Sequence, residues 1–175
     1  MGLKSFIGGL WSGLRARQIA YKARHALEIQ QRTFHTLIDH ASNTRFGKDH
    51  GFDSINTYGE FQQRVPVRNY EQARDYFDRI YRAEKDVSWP GVPIYLAKTS
   101  GTTSGAKYIP ITRESIRMQI AGARDALMLY MHETGKRGFL KGKMMFLSGS
   151  PEIGPNEYGI RTGRLSGIVN HFVPN

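Results

Sequence analysis

The chain has 175 residues, enough for one domain, with 39% hydrophobic residues and a formal net charge of +10. It has no cysteine, which excludes disulfides, thiolate metal sites and cysteine nucleophiles and fits a cytoplasmic protein. No apolar run approaches the ~20 residues that span a bilayer, so stable membrane insertion is not expected. Its lysines and arginines are scattered among acidic residues, without a dense basic run or a ribonucleoprotein-type aromatic motif, and no nucleic-acid partner is expected.

Residues 1–42 form a helical segment and residues 43–175 the body of the chain. In the first, Leu3, Phe6, Ile7, Leu10, Leu14 and Tyr21, then Leu27, Phe34, Leu37 and Ile38, fall near helical spacing. Gly8, Gly9 and Gly13 weaken the first turns. Arg15 and Arg17 interrupt any signal-peptide core, and Phe6 stands where a myristoylation signal has Ser or Thr. The favoured reading is a helix packed on the body. The competing one is a membrane-surface helix with Phe6 and Trp11 below Lys4, Arg15, Arg17, Lys22 and Arg24.

A loop is predicted over Asn43 to Gly51, short helices over 57–64 and 70–84, and a turn at Trp89-Pro90-Gly91. A strand over 93–98 leads into a Ser/Thr/Gly-rich loop, and a second strand covers about 107–111. Thr112 is a fair N-cap for a helix that runs to about Glu133 and ends at Gly135. Met144-Met145-Phe146-Leu147 reads as a buried strand, and the remainder is rich in Gly and Pro. Strand, loop, strand, helix and strand in that order imply an α/β fold, a β-sheet flanked by helices.

The loop, Thr99-Ser100-Gly101-Thr102-Thr103-Ser104-Gly105-Ala106-Lys107, carries the chemistry. Its glycines let backbone N–H groups turn toward an anion, its hydroxyls can each donate a hydrogen bond, and Lys107 adds a mobile positive charge. A Ser/Thr/Gly cluster alone is as often a plain turn; the flanking strands and helix favour phosphate. It is not a Walker A loop, because Ala106 separates Gly105 from Lys107 and Tyr108 stands where a Mg²⁺-binding hydroxyl belongs. There is no G-x-G-x-x-G, no H-E-x-x-H and no G-x-S-x-G, so Rossmann, zinc-protease and hydrolase-elbow chemistries lack support.

The loop resembles the first nucleotide motif of adenylate-forming enzymes, Ser-Gly-Thr-Thr-Gly-x-Pro-Lys. With its Ser-Gly insertion and Lys-x-Ile-Pro tail it is most similar to the Gretchen Hagen three family of acyl acid–amido synthetases, the auxin-responsive family of plant hormone conjugation and its bacterial relatives. The resemblance continues through Asn43 to Phe52, Phe61 to Tyr70, Trp89-Pro90-Gly91 and Phe146 to Pro151, roughly residues 30–170. It implies the N-terminal part of an adenylate-forming large domain. It also implies a ligase that activates a small-molecule carboxylic acid with ATP and Mg²⁺, releases pyrophosphate, and joins the acyl group to an amino acid with release of AMP.

On that resemblance Ser100, Gly101, Thr102, Thr103, Ser104 and Gly105 grip the phosphates, and Lys107 either neutralises charge or anchors the loop. No Mg²⁺ ligand is visible. The acyl substrate lies near the helix after the loop, where Arg124 could pair with its carboxylate; the competing reading is an exposed helix arginine. Family members are several times longer and carry second and third nucleotide motifs and a small C-terminal domain that these residues lack. The expectation is a fragment inactive alone, the alternatives being a non-catalytic nucleotide-binding or interaction module, or a basic protein of membrane or nucleic-acid surfaces. Thr99 stands where the plant form has a first serine, and the loop is one residue shorter.

Overall fold

The computed structural model describes residues 3–99, 106–138, 142, 145, 147 and 149–172, with only the backbone for 3–5. The chain forms two compact units: Met1–Gln30 with Arg117–Leu147, and Gln31–Ile116 with Ser148–Asn175. No described helix is long and apolar enough to cross a membrane.

Helix α1 (Leu3–Arg24) lies in the first unit and is parted at His25 from α2 (Ala26–Ala41), most of which belongs to the second. The helical hydrogen-bond pattern carries through the break: His25 N–H donates to the Tyr21 carbonyl and Ile29 N–H to the His25 carbonyl. The small-residue side of α1 is its buried side, with Ser12 and Ala16 enclosed. At Gly9 a Cβ would run into the Arg137 guanidinium, and His132 Nδ1 lies 4.0 Å from the corresponding point at Gly13. Both partners are on or just beyond α6 (Arg113–Thr134). Arg15 binds Asp125 of α6 through two hydrogen bonds of 2.7 and 2.8 Å. This fork holds the Asp125 carboxyl below its usual range and raises the Arg15 guanidinium.

The second unit explains why the expected loop at 43–51 is ordered. Thr44 N-caps the short helix α3 (Arg45–Asp49): its hydroxyl accepts from Gly47 N–H at 3.0 Å and donates to the Ala41 carbonyl at 2.6 Å. Gly47 permits this closeness, since a Cβ there would collide with the Ala41 carbonyl. Gly51, at φ 62°, then turns the chain into a single 3-10 turn, Phe52–Ser54. Ile38, Ala41, Phe52 and Ile55 form one core cluster, with Phe34, Phe46, Phe61 and Trp89 against it. Of the apolar positions expected to pack on α2, Leu27 and Leu37 point outward instead.

Helix α4 (Tyr58–Arg64) starts with a complete capping box. The Glu60 carboxylate accepts from Asn56 and Thr57 N–H, which lowers its pKa. Helix α5 (Arg74–Tyr81) is shorter than the predicted 70–84. Asn69 and Gln72 cap each other's N–H groups over the preceding turn, and Ala83 at φ 62° ends the helix.

The sheet has four strands in the order β2-β1-β4-β3: β1 (Tyr95–Lys98), β2 (Tyr108–Ile111), β3 (Ile153–Pro155) and β4 (Arg161–Gly163). β1 is antiparallel to β2 and parallel to β4, and β3 is antiparallel to β4. Tyr95, Leu96 and Ala97 are all buried, as expected of a central strand covered on both faces. Leu96 joins Ile80, Val87 and Ile160 in the second core cluster.

Helix α6 begins as predicted, with Thr112 and Ser115 capping each other reciprocally, and ends before Gly135 at φ 65°. Of the strand predicted at 144–147, Met144 and Phe146 lie outside the described residues, while Met145 and Leu147 are exposed and outside any strand. The third and fourth strands instead come from the Gly/Pro-rich tail, followed by the short helix α7 (Leu165–Asn170). Asn156 organises their hairpin: its side-chain oxygen accepts from Tyr158 and Ile160 N–H, and its amide donates to the Tyr81 carbonyl.

Truncating Leu96 to Ala should cost about 2–5 kcal/mol in urea unfolding, because its side chain is fully enclosed. Asp125 titrates below its unfolded value, so the unfolded state binds the extra proton and the Arg15 pair stabilises the fold above about pH 4. That contribution should vanish as pH falls through the lowered folded value. Thermal melts should show a shallower acid decline for Asp125→Asn than for the parent; identical profiles would disprove the assignment.

Candidate functional site

The phosphate-loop residues Ser100, Gly101, Thr102, Thr103, Ser104 and Gly105 lie outside the described residues. What is described is their frame. β1 and β2 pair in register Lys98 with Tyr108, and Thr99 N–H donates to the Lys107 carbonyl at 3.0 Å. The ladder therefore extends one step past the strands and clamps the two ends of the loop together. β1 and β4 run parallel, so the loop leaves the sheet at their shared C-terminal edge, the edge at which open α/β sheets bind ligands.

Tyr70 braces the exit of the loop in two ways. Its hydroxyl accepts from Tyr108 N–H at 3.2 Å, and the Lys107 ammonium sits 5.4 Å from the centre of its ring. The first bond satisfies a β2 backbone donor that the hairpin leaves unpaired, and the second is a cation–π contact. The Tyr70 ring is itself stacked on Phe77 of α5, centroids 4.5 Å apart. A loop-stem residue is thus tied to a helix through one aromatic side chain.

Beside this brace is a cavity of about 190 Å³, lined by Tyr70, Arg74, Phe77, Asp78, Tyr81 and Tyr108, with Ala106 of the loop at its border. Its walls are aromatic: the Tyr81 and Tyr108 rings lie 4.8 Å apart. Burial, and then the neighbouring Tyr108, raise the Tyr81 hydroxyl, so it remains a neutral donor at physiological pH. The Arg74 guanidinium is hydrogen-bonded to Glu71, which raises its pKa, and it presents a fixed positive charge.

Arg124 lies on α6 in the other unit. Its guanidinium is 5.8 Å from the Trp11 ring and 3.4 Å from Asp125, and its side chain is 41% exposed. Asp125 is already held closely by Arg15, so Arg124 is its weaker partner. Among the described residues no three His, Asp or Glu side chains converge as a metal site. His50, the most enclosed histidine, is part of the scaffold: its Nδ1 faces the Phe46 carbonyl at 2.7 Å and its Nε2 accepts from Arg68 at 2.9 Å.

Other segments that carry the resemblance are also scaffold. Arg45 and Phe46 N–H donate to the Asp86 and Val87 carbonyls, and Tyr76 donates to the Asp49 carboxylate at 2.8 Å. Gly149 N–H donates to the Ser166 hydroxyl at 2.9 Å, while Gly167 admits the Ser150 carbonyl where a Cβ would collide. Sequence reasoning did not single out Tyr70, Phe77, Tyr81 or Tyr108. The available signal was Tyr70 at the end of the Phe61-to-Tyr70 segment, within reach of the loop only after folding. Tyr70→Phe should keep the stacking on Phe77 and lose the bond to Tyr108. A cost of about 1 kcal/mol in urea unfolding is expected, and an unchanged midpoint would remove the brace.

The description "GH3 family N-terminal domain" matches residues 15–171. A curated relative, indole-3-acetic acid-amido synthetase GH3.15 of Arabidopsis thaliana, is 38% identical over 78 residues, covering 43% of this chain and 13% of the relative. A solved GH3.15 acyl acid amido synthetase superposes with a TM-score of 0.66 at 23% identity, over 81% of this chain and 26% of that one. A second structure, AtGH3.15 acyl acid amido synthetase in complex with 2,4-DB, gives 0.68 at 22% identity, over 83% and 25%. The chain thus spans about a quarter of the solved relatives it matches. The chain has the mixed α/β fold of the N-terminal region of those proteins, and it belongs to the GH3 family through its N-terminal domain.

Proposed function

We propose that this chain supplies the ATP-gripping part of an acyl acid–amido synthetase. The observation that carries the reading is the loop frame: a Ser/Thr/Gly loop closed at its base by the Thr99–Lys107 bond, at the C-terminal edge of a central strand, in a chain of the GH3 family. In the proposed reaction an acid's carboxylate oxygen attacks the α-phosphate of ATP. The bond to the pyrophosphate leaving group breaks, and an amino acid's amine then displaces AMP from the acyl carbon.

The loop's part is to hold the anions in line and stabilise the departing charge. Ser100 to Gly105 would do so with hydroxyl and backbone N–H groups. For Lys107 the Tyr70 contact supports an anchoring role, with the ammonium held at the loop stem. Mg²⁺ would come with the nucleotide and would neutralise phosphate charge; no protein ligand for it is identified among the described residues. For Arg124, the long contacts to Asp125 and partial exposure support a guanidinium open to an acid's carboxylate.

The family's second and third nucleotide motifs are not among these 175 residues, so we propose that they bind nucleotide without completing the reaction. Calorimetric titration with Mg·ATP should detect binding, and Ser100→Ala with Lys107→Ala should weaken it about tenfold or more, as for loss of charge-assisted phosphate contacts. Equal affinity in parent and variant would refute the loop assignment. A pyrophosphate-release assay with ATP, carboxylic acids and amino acids should stay at background; turnover would show that these residues suffice.

A further inference from the structure

The outward face of α1 is a separate feature that the nucleotide reading does not use. Its 22 residues contain no Asp or Glu. Phe6, Ile7, Leu10, Trp11 and Leu14 recur at i, i+1, i+4, i+5 and i+8, an arc of about 140° at 3.6 residues per turn. All five are at least half exposed, as is Tyr21 further along the same arc. The sequence allowed these side chains to be the packing face; the structure gives that task to the opposite side. Ser12 and Ala16 are buried, and Gly9 and Gly13 admit Arg137 and His132. Because the small residues close on α6, the large apolar ones are left facing out.

Basic residues border this arc on both sides. By helical projection Arg17 and Arg24 fall along one edge, and Arg15 and Lys22 along the other. Arg15 is committed to Asp125. Arg17, Lys22 and Arg24 are exposed and have no acidic partner among the described residues. An apolar arc with a tryptophan, flanked by cations whose stems can reach upward, is the arrangement of a helix lying in a membrane interface. A protein groove would have to supply both a deep apolar trough and acidic rims along both sides. An anionic bilayer supplies both at once, and the net charge of +10 favours the approach.

We propose that α1 docks this chain on anionic lipid bilayers, with Phe6, Leu10, Trp11 and Leu14 in the acyl–headgroup boundary and Arg17, Lys22 and Arg24 on the headgroup phosphates. The test uses the 175-residue chain with vesicles of phosphatidylcholine alone or with about one-third phosphatidylglycerol. Expected are co-sedimentation with the anionic vesicles only, release by added salt, and a blue-shifted tryptophan emission that survives Trp89→Phe and disappears in Trp11→Phe. Leu10→Gln with Leu14→Gln, and separately Arg17→Gln with Lys22→Gln and Arg24→Gln, should each lower partitioning at least tenfold. These positions are exposed, so circular dichroism of both variants should match the parent; where it does not, the Trp11→Phe comparison on the parent background decides. No binding to anionic vesicles, or binding indifferent to the Leu10 and Leu14 changes, would overturn the proposal. A concentration-dependent dimer abolished by the same leucine changes, without vesicle binding, would overturn it in favour of a contact between two copies. None of these variants changes a residue between Ser100 and Lys107, so this inference and the nucleotide reading fail separately.

Discussion

The pairing of β1 with β2 is the constraint on which the candidate site depends. Register sets Lys98 opposite Tyr108, and the bond from Thr99 N–H to the Lys107 carbonyl carries the pairing to the base of the loop. Holding the two ends of a chain segment across a strand pair lowers the entropy cost of closing it. β1 lies between β2 and β4 and buries three consecutive residues, so the strand that leads into the loop is held on both edges. Tyr70 then joins that strand pair to α5, so the position of the Lys107 ammonium follows from packing that begins with the stack on Phe77.

The segment from Asn43 to Phe52 does a related job at a distance from the loop. It contains polar and charged residues of the kind that suggest a binding site, yet Thr44, Asp49 and His50 are spent on scaffolding. Thr44 caps, His50 bridges Phe46 and Arg68, and Asp49 receives Tyr76. The backbone of Arg45 and Phe46 is pinned to Asp86 and Val87, and Asp86 in turn closes on Gly91. Burying Thr44 and His50 is tolerable because both are paired. The consequence is a rigid connection between the aromatic cluster around Phe52 and the approach to β1.

Much of the chain was legible before folding. The helix over 57–64, Thr112 at the head of α6 and Gly135 at its end were read from local signals, and each is where the structure has it. The Ser/Thr/Gly loop between two strands was legible for the same reason. The failures were of two kinds. Asn43 to Gly51 looked like a loop because its glycines suggest breaks, but Gly47 is there for close approach to Ala41 and Thr44 supplies the cap. The strands at 153–155 and 161–163 are too short to show alternation, and their one signal, Asn156 with Gly159, lay in a stretch that composition marked as irregular.

The sequence by itself determined the family, the α/β class and the chemistry of the loop, because these rest on residue types in a fixed local order. It also determined that α1 has two faces, one of small residues and one of large apolar residues edged with cations. Only the tertiary structure decided which face packs, which aromatic residue braces Lys107, and which of the two arginines holds Asp125 closely. The last two of those choices join residues 38 and 110 positions apart. No window of sequence contains both members of such a pair; they meet only when the strands have paired and the helices have closed on them.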